Sequence, residues 1–193
     1  MGSYFLESEI AFDADGRLID AGYHDGAAKA FEPRDLRGLF GTFATGVTVI
    51  SAQSVSGEVT GATANSFTSV SLDPPLVLVC FDRKSRTMAA MRSSGRFAIQ
   101  ILNKEQEQVA WHFAGRPMEE DAPVLAGRTE RGVPCLEDAL CVIDCDLSQV
   151  LPGGDHRIVL GEVKGFEVAQ GAGEPLVFHR GRFGGFSGSE TQT

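Results

Sequence analysis

Two adjacent prolines, Pro74 and Pro75, stand directly before an unbroken apolar run, Leu76 to Phe81, and that junction limits what the chain can become. Proline has no amide hydrogen to give to a ladder, so the pair fixes where a strand begins and cannot lie within a central one. The run itself, LVLVCF, is apolar on both alternations and reads as a buried strand. Upstream, Gly61 to Asn65 reads as a polar strand or strand end, and a loop rich in Ser and Thr is expected from Asn65 to Asp73. Downstream come Asp82, Arg83 and Lys84, after which Ser85 opens a short helix. Hydroxyls, an amide, basic side chains and a helix start thus flank one apolar strand, an arrangement that can hold a phosphorylated aromatic ligand.

The 193 residues suit one domain with a sizeable core, and a hydrophobic fraction of 42% is that of a globular protein. A net charge of −9 argues against a general nucleic-acid binder but leaves room for a small anion in a local basic pocket. No apolar run approaches the ~20 residues of a membrane helix. The acidic N-terminal stretch lacks an apolar signal segment, so a cytoplasmic protein is expected. Four cysteines, Cys80, Cys135, Cys141 and Cys145, contain no Cys-x-x-Cys pair. In LCVIDCDL, alternation places Cys141, Ile143, Cys145 and Leu147 on one face of a strand. Two cysteines four apart on an extended strand are about 13 Å apart, too far for one zinc or a disulfide, so packing is their expected role.

Taken in order, residues 1–32 look like an appendage with a small apolar cluster at Tyr4, Phe5 and Leu6, turn signals at Asp15-Gly16 and Asp25-Gly26, a surface His24, and a weakly helical Ala27 to Ala30. From Pro33, the spacing of Leu36, Leu39, Phe40 and Phe43 predicts an amphipathic helix that Gly46 can end. Val47 to Ala52 and Glu58 to Ala64 predict a hairpin about Ser56-Gly57. After the central strand and its helix (Ser85 to Arg92), Phe97 to Leu102 reads as a strand. Asn103 with Gln106 resembles a capping box for a helix to about Phe113, in which Trp111 has a core role. Residues 114–134 are irregular and carry the charge run Glu119, Glu120, Asp121, expected as a solvated loop. Strands are expected at Ala139 to Gln149, at His156 to Val168 with a disturbance at Lys164-Gly165, and at Leu176 to His179. Tight turns are expected at Leu151 to Asp155 and Gly171 to Pro175. About seven strands with few helices favour an antiparallel β-barrel in one domain, residues 33–186, followed by a polar tail, 187–193.

Several chemistries have no motif to stand on. The chain contains no G-x-G-x-x-G after a strand, no G-x-x-x-x-G-K-S/T, no H-E-x-x-H and no G-x-S-x-G. Its histidines, His24, His112, His156 and His179, are too dispersed to nominate a metal site. What the chain does contain is FATGVTVI, TGATANSFTSVSLDPPLVLVCF, the RKSRT turn, Gly154-Asp155-His156, IVLGEV and PLVFHRGRF, in that order. In these segments, from about Leu36 to Phe186, the chain resembles the flavin reductases built on an FMN-binding split barrel.

The resemblance implies a mainly β fold, an antiparallel split barrel with a few flanking helices. It implies an NAD(P)H:flavin oxidoreductase that passes a hydride from nicotinamide C4 to flavin N5, on FMN or FAD, with NADH or NADPH as reductant. It further implies a homodimer that supplies reduced flavin to a separate monooxygenase; the alternative on the same fold is a non-catalytic binder of flavin or a related cofactor. By the same resemblance Thr63, Ala64, Asn65 and Ser66 lie near the isoalloxazine ring, where small side chains let the backbone approach a flat ligand. Ser69 falls on the phosphate-facing part of the loop. Ser85, Arg86 and Thr87, helped by Lys84, match the second phosphate-binding segment. His156 matches the segment by the nicotinamide, where imidazole can hold a carboxamide or ribose, with Asp155 ordering the turn or orienting the ring.

Overall fold

The computed structural model describes residues 11–12, 18–19, 31–116, 125–171 and 173–186. Strands β1 (Ala11–Phe12) and β2 (Leu18–Ile19) pair antiparallel on either side of the Asp15-Gly16 turn signal. The Tyr4, Phe5, Leu6 cluster, His24, residues 27–30, the Glu119 to Asp121 charge run and the tail lie outside the described residues.

Helix α1 (Pro33–Phe40) begins at its proline, where the missing N–H removes no intrahelical bond. It ends earlier than the spacing of apolar residues predicts. Gly41 donates its N–H to the Arg37 carbonyl at 2.9 Å, and Thr42 and Phe43 then close tighter turns on Leu39 and Phe40, each at 3.1 Å. Phe43 therefore leaves the helix, and Gly46 falls in strand β3 (Thr45–Gly46). No residue of α1 is buried; Leu39, Phe40 and the neighbouring Phe43 are 62%, 66% and 75% exposed.

The expected hairpin forms from β4 (Thr48–Gln53) and β5 (Val59–Ala64). The loop expected from Asn65 to Asp73 is a correction: it contains strand β6 (Thr68–Leu72), paired with β7 (Pro75–Asp82). Its polar composition fits an edge strand with one solvated side, which carries no buried alternation to read. β7 begins at Pro75, one residue before the expected Leu76 and paired with Leu72, and runs one residue past Phe81 to Asp82. Ser85 caps α2 (Arg86–Ser94), its hydroxyl accepting the Met88 N–H at 3.3 Å, and Gly95 closes the helix in the left-handed region. β8 (Arg96–Ile101) follows. The Asn103/Gln106 capping box is present, with a 3₁₀ turn, Lys104–Gln106, leading into α3 (Glu107–Phe113). Short strands β9 (Gly127–Arg128) and β10 (Pro134–Cys135) pair across the irregular region.

Strands β11 (Cys141–Gly153) and β12 (His156–Val168) form the longest ladder. The five-residue turn expected at Leu151 to Asp155 shrinks to Gly154 and Asp155, because Leu151, Pro152 and Gly153 pair with Ile158, Arg157 and His156. The disturbance expected at Lys164-Gly165 is a bulge: Asp144 faces Gly165 while Cys145 faces Val163, leaving Lys164 unpaired. The described part of the chain closes with β13 (Leu176–His179) and β14 (Arg182–Gly185).

Seven strands form one antiparallel sheet in the order β5-β4-β8-β11-β12-β7-β6, and β14-β13-β3 form a smaller one. The edge strands β5 and β6 are consecutive in the chain, so the large sheet curls until its two edges meet at residues 65–67. Inside the curl lie Ile50, Val77, Val79, Phe81, Phe97, Ile99, Cys145 and Val159, closed at one end by Met88 and Met91 of α2. Phe97 is fully buried, and a Cβ added to Gly161 would sit 2.4 Å from its Cζ, so that glycine is required by close packing. Truncating such a ring to alanine costs about 3–5 kcal/mol. A second cluster, with Val47, Val49, Leu102, Ala110 and Leu176 at its centre, lies on the other face of β4 under α3 and the small sheet. Strand β4 is thus covered on both sides, which is why its sequence shows β-branched residues without polar alternation. Trp111 packs edge-on to Phe183 at 4.8 Å, and the Arg116 guanidinium covers its ring.

Cys145 lies in the inner core, where burial, followed by the charges of Asp144 and Asp146, pushes its thiol up to about 12. Such a thiol is an inert packing group. Asp144 is buried but accepts hydrogen bonds from Thr129 and Arg131, and Arg131 also reaches Asp146 at 2.6 Å. This network fastens the Thr129–Arg131 turn to β11.

Candidate functional site

The seam of the large sheet and the far end of β7 carry most of the residues singled out from the sequence. Ser66 lies at the seam. Its hydroxyl accepts the Cys80 N–H at 2.9 Å and donates to the Cys80 carbonyl at 3.4 Å, fastening the β5–β6 connection to β7. Thr63 points away from the seam, donating its hydroxyl to the Ala110 carbonyl at 2.6 Å. Its side chain therefore holds α3, which leaves only the Thr63 backbone to serve a ligand at the seam. The Ala64 carbonyl accepts from the Thr48 hydroxyl at 2.8 Å, while the Asn65 side chain is exposed.

Past Phe81, β7 gives way to a turn built on Asp82. Its carbonyl accepts the Ser85 N–H at 3.0 Å and its carboxylate the Lys84 N–H at 2.7 Å. Helix α2 starts immediately afterwards. Its first N–H groups, on Arg86 and Thr87, have no acceptor within the helix, and its first turn has no acidic side chain. Lys84 and Arg86 are exposed; Thr87 is 2% exposed, so its side chain belongs to the core and its N–H to the helix end. Ser85 uses a lone pair to cap the helix and keeps its hydroxyl hydrogen. Free N–H groups, a hydroxyl donor and two cations at one helix start fit a phosphate dianion.

The Gly154-Asp155-His156 turn stands beside this helix start, because His156 pairs with Asp82 across β12 and β7. Sequence reasoning did not single out the tie between them. The Arg83 guanidinium donates to the Gly154 carbonyl, and the Arg83 N–H to the Asp155 carbonyl at 3.4 Å. Arg83 adjoins a segment that was read for phosphate contacts, and nothing in local sequence points it at a turn 71 residues away. His156 is about half exposed, with Nδ1 2.7 Å from the Asp155 carboxylate. A carboxylate only accepts, so Nδ1 carries the hydrogen and Nε2 faces outward. Hydrogen bonding to the imidazole, and then its charge, holds the Asp155 carboxyl below the usual carboxylate range.

Ser69 lies apart from these residues. It pairs with Val77, five residues before Asp82, or about 16 Å along β7. One chain does not bring Ser69 and the Ser85–Thr87 segment to a single phosphate.

The curled sheet and its seam define a split barrel. The chain belongs to the family described as the flavin reductase like domain, whose model matches residues 40–187. A probable flavin reductase of Rhizobium meliloti is 47% identical over 141 residues, covering 72% of this chain. The chain spans only 45% of that relative's length. An NADH-dependent flavin reductase of Rhodococcus is 42% identical over 153 residues, covering 78% of this chain and 85% of the relative. The solved structure of nitrilotriacetate monooxygenase component B from Mycobacterium thermoresistibile is similar with a TM-score of 0.75 and 35% identity, covering 83% of this chain and 91% of that one. The expected split-barrel fold is borne out. Among the described residues, no helix is long and apolar enough to cross a membrane.

Proposed function

We propose that this chain is an NAD(P)H-dependent flavin reductase, passing a hydride from nicotinamide C4 to flavin N5 and supplying reduced flavin to a separate monooxygenase. The observation that carries this reading is the juxtaposition of an open, cationic helix start with the His156 turn on one pair of strands in a chain of this family. Bound flavin, FMN or FAD, supplies the hydride acceptor, and the protein has to hold and align.

The Arg86 and Thr87 N–H groups, the Ser85 hydroxyl and the Arg86 guanidinium hold the flavin phosphate, with Lys84 adding charge. Backbone groups of Thr63 to Ser66 face the ring, and Ser66 keeps that segment against β7. Ser69 serves the phosphate only if a second copy of the chain presents it. His156, with Nδ1 fixed by Asp155, offers Nε2 as an acceptor for the carboxamide N–H or a ribose hydroxyl of NADH or NADPH. No proton transfer is asked of it, since the hydride moves directly between ligands.

The chain works as a homodimer, and the exposed apolar side of α1 with Phe43 supports this: three large side chains more than 60% exposed in one short stretch call for a cover. Residues 1–32 are an N-terminal extension or arm, residues 33–186 the split-barrel domain and residues 187–193 a polar tail, and the protein works in the cytoplasm. The monooxygenase partner rests on the relative that is itself a monooxygenase component. Anaerobic stopped-flow mixing with FMN or FAD and NADH or NADPH tests the central claim. Bleaching of flavin absorbance with at least one pair is expected; unchanged absorbance at saturating flavin would refute it and leave a binding protein.

A further inference from the structure

We propose that Arg83 is a positioning residue for hydride transfer: it holds the Gly154-Asp155 turn in the conformation that lets Asp155 orient His156. This rests on the reading above that His156 receives the nicotinamide nucleotide.

The turn needs a hold from outside its own hairpin. β8 pairs with β11 only as far as Asp146, and the Leu147 N–H makes one more bond on that side, to the Gly95 carbonyl at 2.8 Å. From Gln149 to Gly153, β12 is the one ladder neighbour of β11 among the described residues. Pro152 lies in that stretch and has no N–H to offer a further strand. On the opposite side, the β12–β7 ladder makes its last pair at His156 and Asp82, just short of the turn. Arg83 follows Asp82 and extends the contact by two carbonyls. Its N–H donates to the Asp155 carbonyl at 3.4 Å, and its guanidinium donates to the Gly154 carbonyl. Lys84 and Arg86 differ: among the described residues, neither side chain has a hydrogen-bond acceptor within the chain.

The Gly154 carbonyl is the group on which the turn's conformation depends. The two common two-residue hairpin turns have positive φ either at both central residues or at the first alone, and they differ by a flip of the peptide between those residues. Here Gly154 has a φ of 68° and Asp155 does not have a positive φ, so the turn is of the second kind. The peptide that flips carries the Gly154 carbonyl, which the guanidinium holds. Aspartate enters the left-handed region more readily than most residues, so Gly-Asp permits both forms. Without the guanidinium the turn exchanges between them. Each flip changes φ at Asp155 and takes its carboxylate from its place 2.7 Å from His156 Nδ1. The imidazole then loses the partner that keeps the hydrogen on Nδ1 and leaves Nε2 as the acceptor.

The test combines anaerobic reduction of bound FMN across an NADH series with flavin titration and imidazole ¹⁵N NMR, on wild type, Arg83→Met and Arg83→Lys. Methionine keeps the apolar stem and removes the donor; lysine restores a cationic donor. Arg83→Met is expected to lower the nicotinamide-dependent reduction constant about 5- to 10-fold, with FMN and riboflavin affinities within about 2-fold of wild type. Arg83→Lys should recover most of the loss. The His156 resonances should move from the Nδ1–H tautomer in wild type toward a mixture in Arg83→Met, a change that needs no nicotinamide. Because Arg83 acts through His156, adding Arg83→Met to His156→Ala should cost less than about 2-fold more. Should Arg83→Met misfold, Arg83→Gln, whose shorter side chain stops short of the Gly154 carbonyl, takes its place under the same criteria. Wild-type reduction and tautomer in the variant would overturn this proposal and leave the function standing. So would a loss of the same size in the His156→Ala background, or a loss of FMN affinity exceeding that of riboflavin, which would make Arg83 a phosphate contact. Wild-type protein whose flavin neither NADH nor NADPH bleaches would overturn the function itself.

Discussion

The turn at Gly154-Asp155 joins two strands of 13 residues, and the turn at Arg180-Gly181 joins two strands of four. Both have two residues and begin in the left-handed region, with φ of 68° at Gly154 and 49° at Arg180. At the first, the polar groups have partners within the chain: Arg83 holds the Gly154 carbonyl, and Asp155 holds His156. At the second, the backbone is anchored through Gly41 while the cationic side chains stand without carboxylate partners among the described residues. A turn with satisfied side chains presents one oriented group, the Nε2 of His156. A turn with unsatisfied ones presents charge. The first suits positioning of a neutral carboxamide, the second attraction of an anion.

Removing the oriented group should give the largest effect. His156→Ala is expected to lower the nicotinamide-dependent reduction constant by about 5- to 150-fold, the worth of one good hydrogen bond at 1–3 kcal/mol. Flavin affinity should hardly change. Anaerobic reduction across a nicotinamide series, paired with flavin titration, reads both; wild-type kinetics would erase the functional half of the contrast. Arg86, another exposed cation without a carboxylate partner among the described residues, should behave as the second turn does. Arg86→Ala should weaken FMN about 10-fold more than riboflavin, because a charge-assisted contact is worth about 1.5–3 kcal/mol. Equal losses for the two flavins would take Arg86 away from the phosphate.

The two turns should also answer differently to substitutions of their backbone. Gly154→Ala places a Cβ in the left-handed region and should cost about 1 kcal/mol, whereas Arg180→Gly should gain about 1 kcal/mol by relieving the same strain. Denaturant midpoints at constant m-value measure both changes, and a loss of stability in Arg180→Gly would mean that the arginine side chain supports the fold. The smallest effect concerns Asp155. Its carboxyl is held low by His156, so the contact is present above the unfolded-state value of about 3.9 and disappears as pH falls through the lowered folded value. Carboxyl NMR should put the Asp155 midpoint below that of a model peptide, and His156→Gln should move it back up.

Much of this contrast could be read from the chain before the coordinates, though unevenly. The proline pair, the Ser85 cap and the Asn103/Gln106 box acted locally, so the starts that they signal agree with the observed ones to within a residue. Strand β6 was missed because Thr68 to Leu72 is an exposed edge with no buried alternation. The last turn of α1 was overextended because the apolar spacing through Phe43 continued after the hydrogen bonds had stopped. At the proposed site, Arg86 and His156 are exposed, as their reading for ligand contacts requires. The side-chain placements of Thr63 and Thr87 were not legible, because register and burial decide whether a hydroxyl faces a ligand or the protein's own carbonyls. Arg83 was invisible for the same reason: its partner is created by the pairing of β7 with β12.

The hydroxyl of Ser66 gives the barrel a clock. The amide hydrogen of Cys80 is held at 2.9 Å by a side chain rather than by a neighbouring strand. Its exchange with deuterated solvent therefore reports how often the seam parts, apart from the opening of the ladders on either side. Under conditions where exchange follows the opening equilibrium, Ser66→Ala should speed that one amide well before the β11–β12 amides respond. A ligand lying against residues 63–66 should slow it. Occupancy of the cleft could then be followed in the dark, with no redox turnover, at a single backbone position.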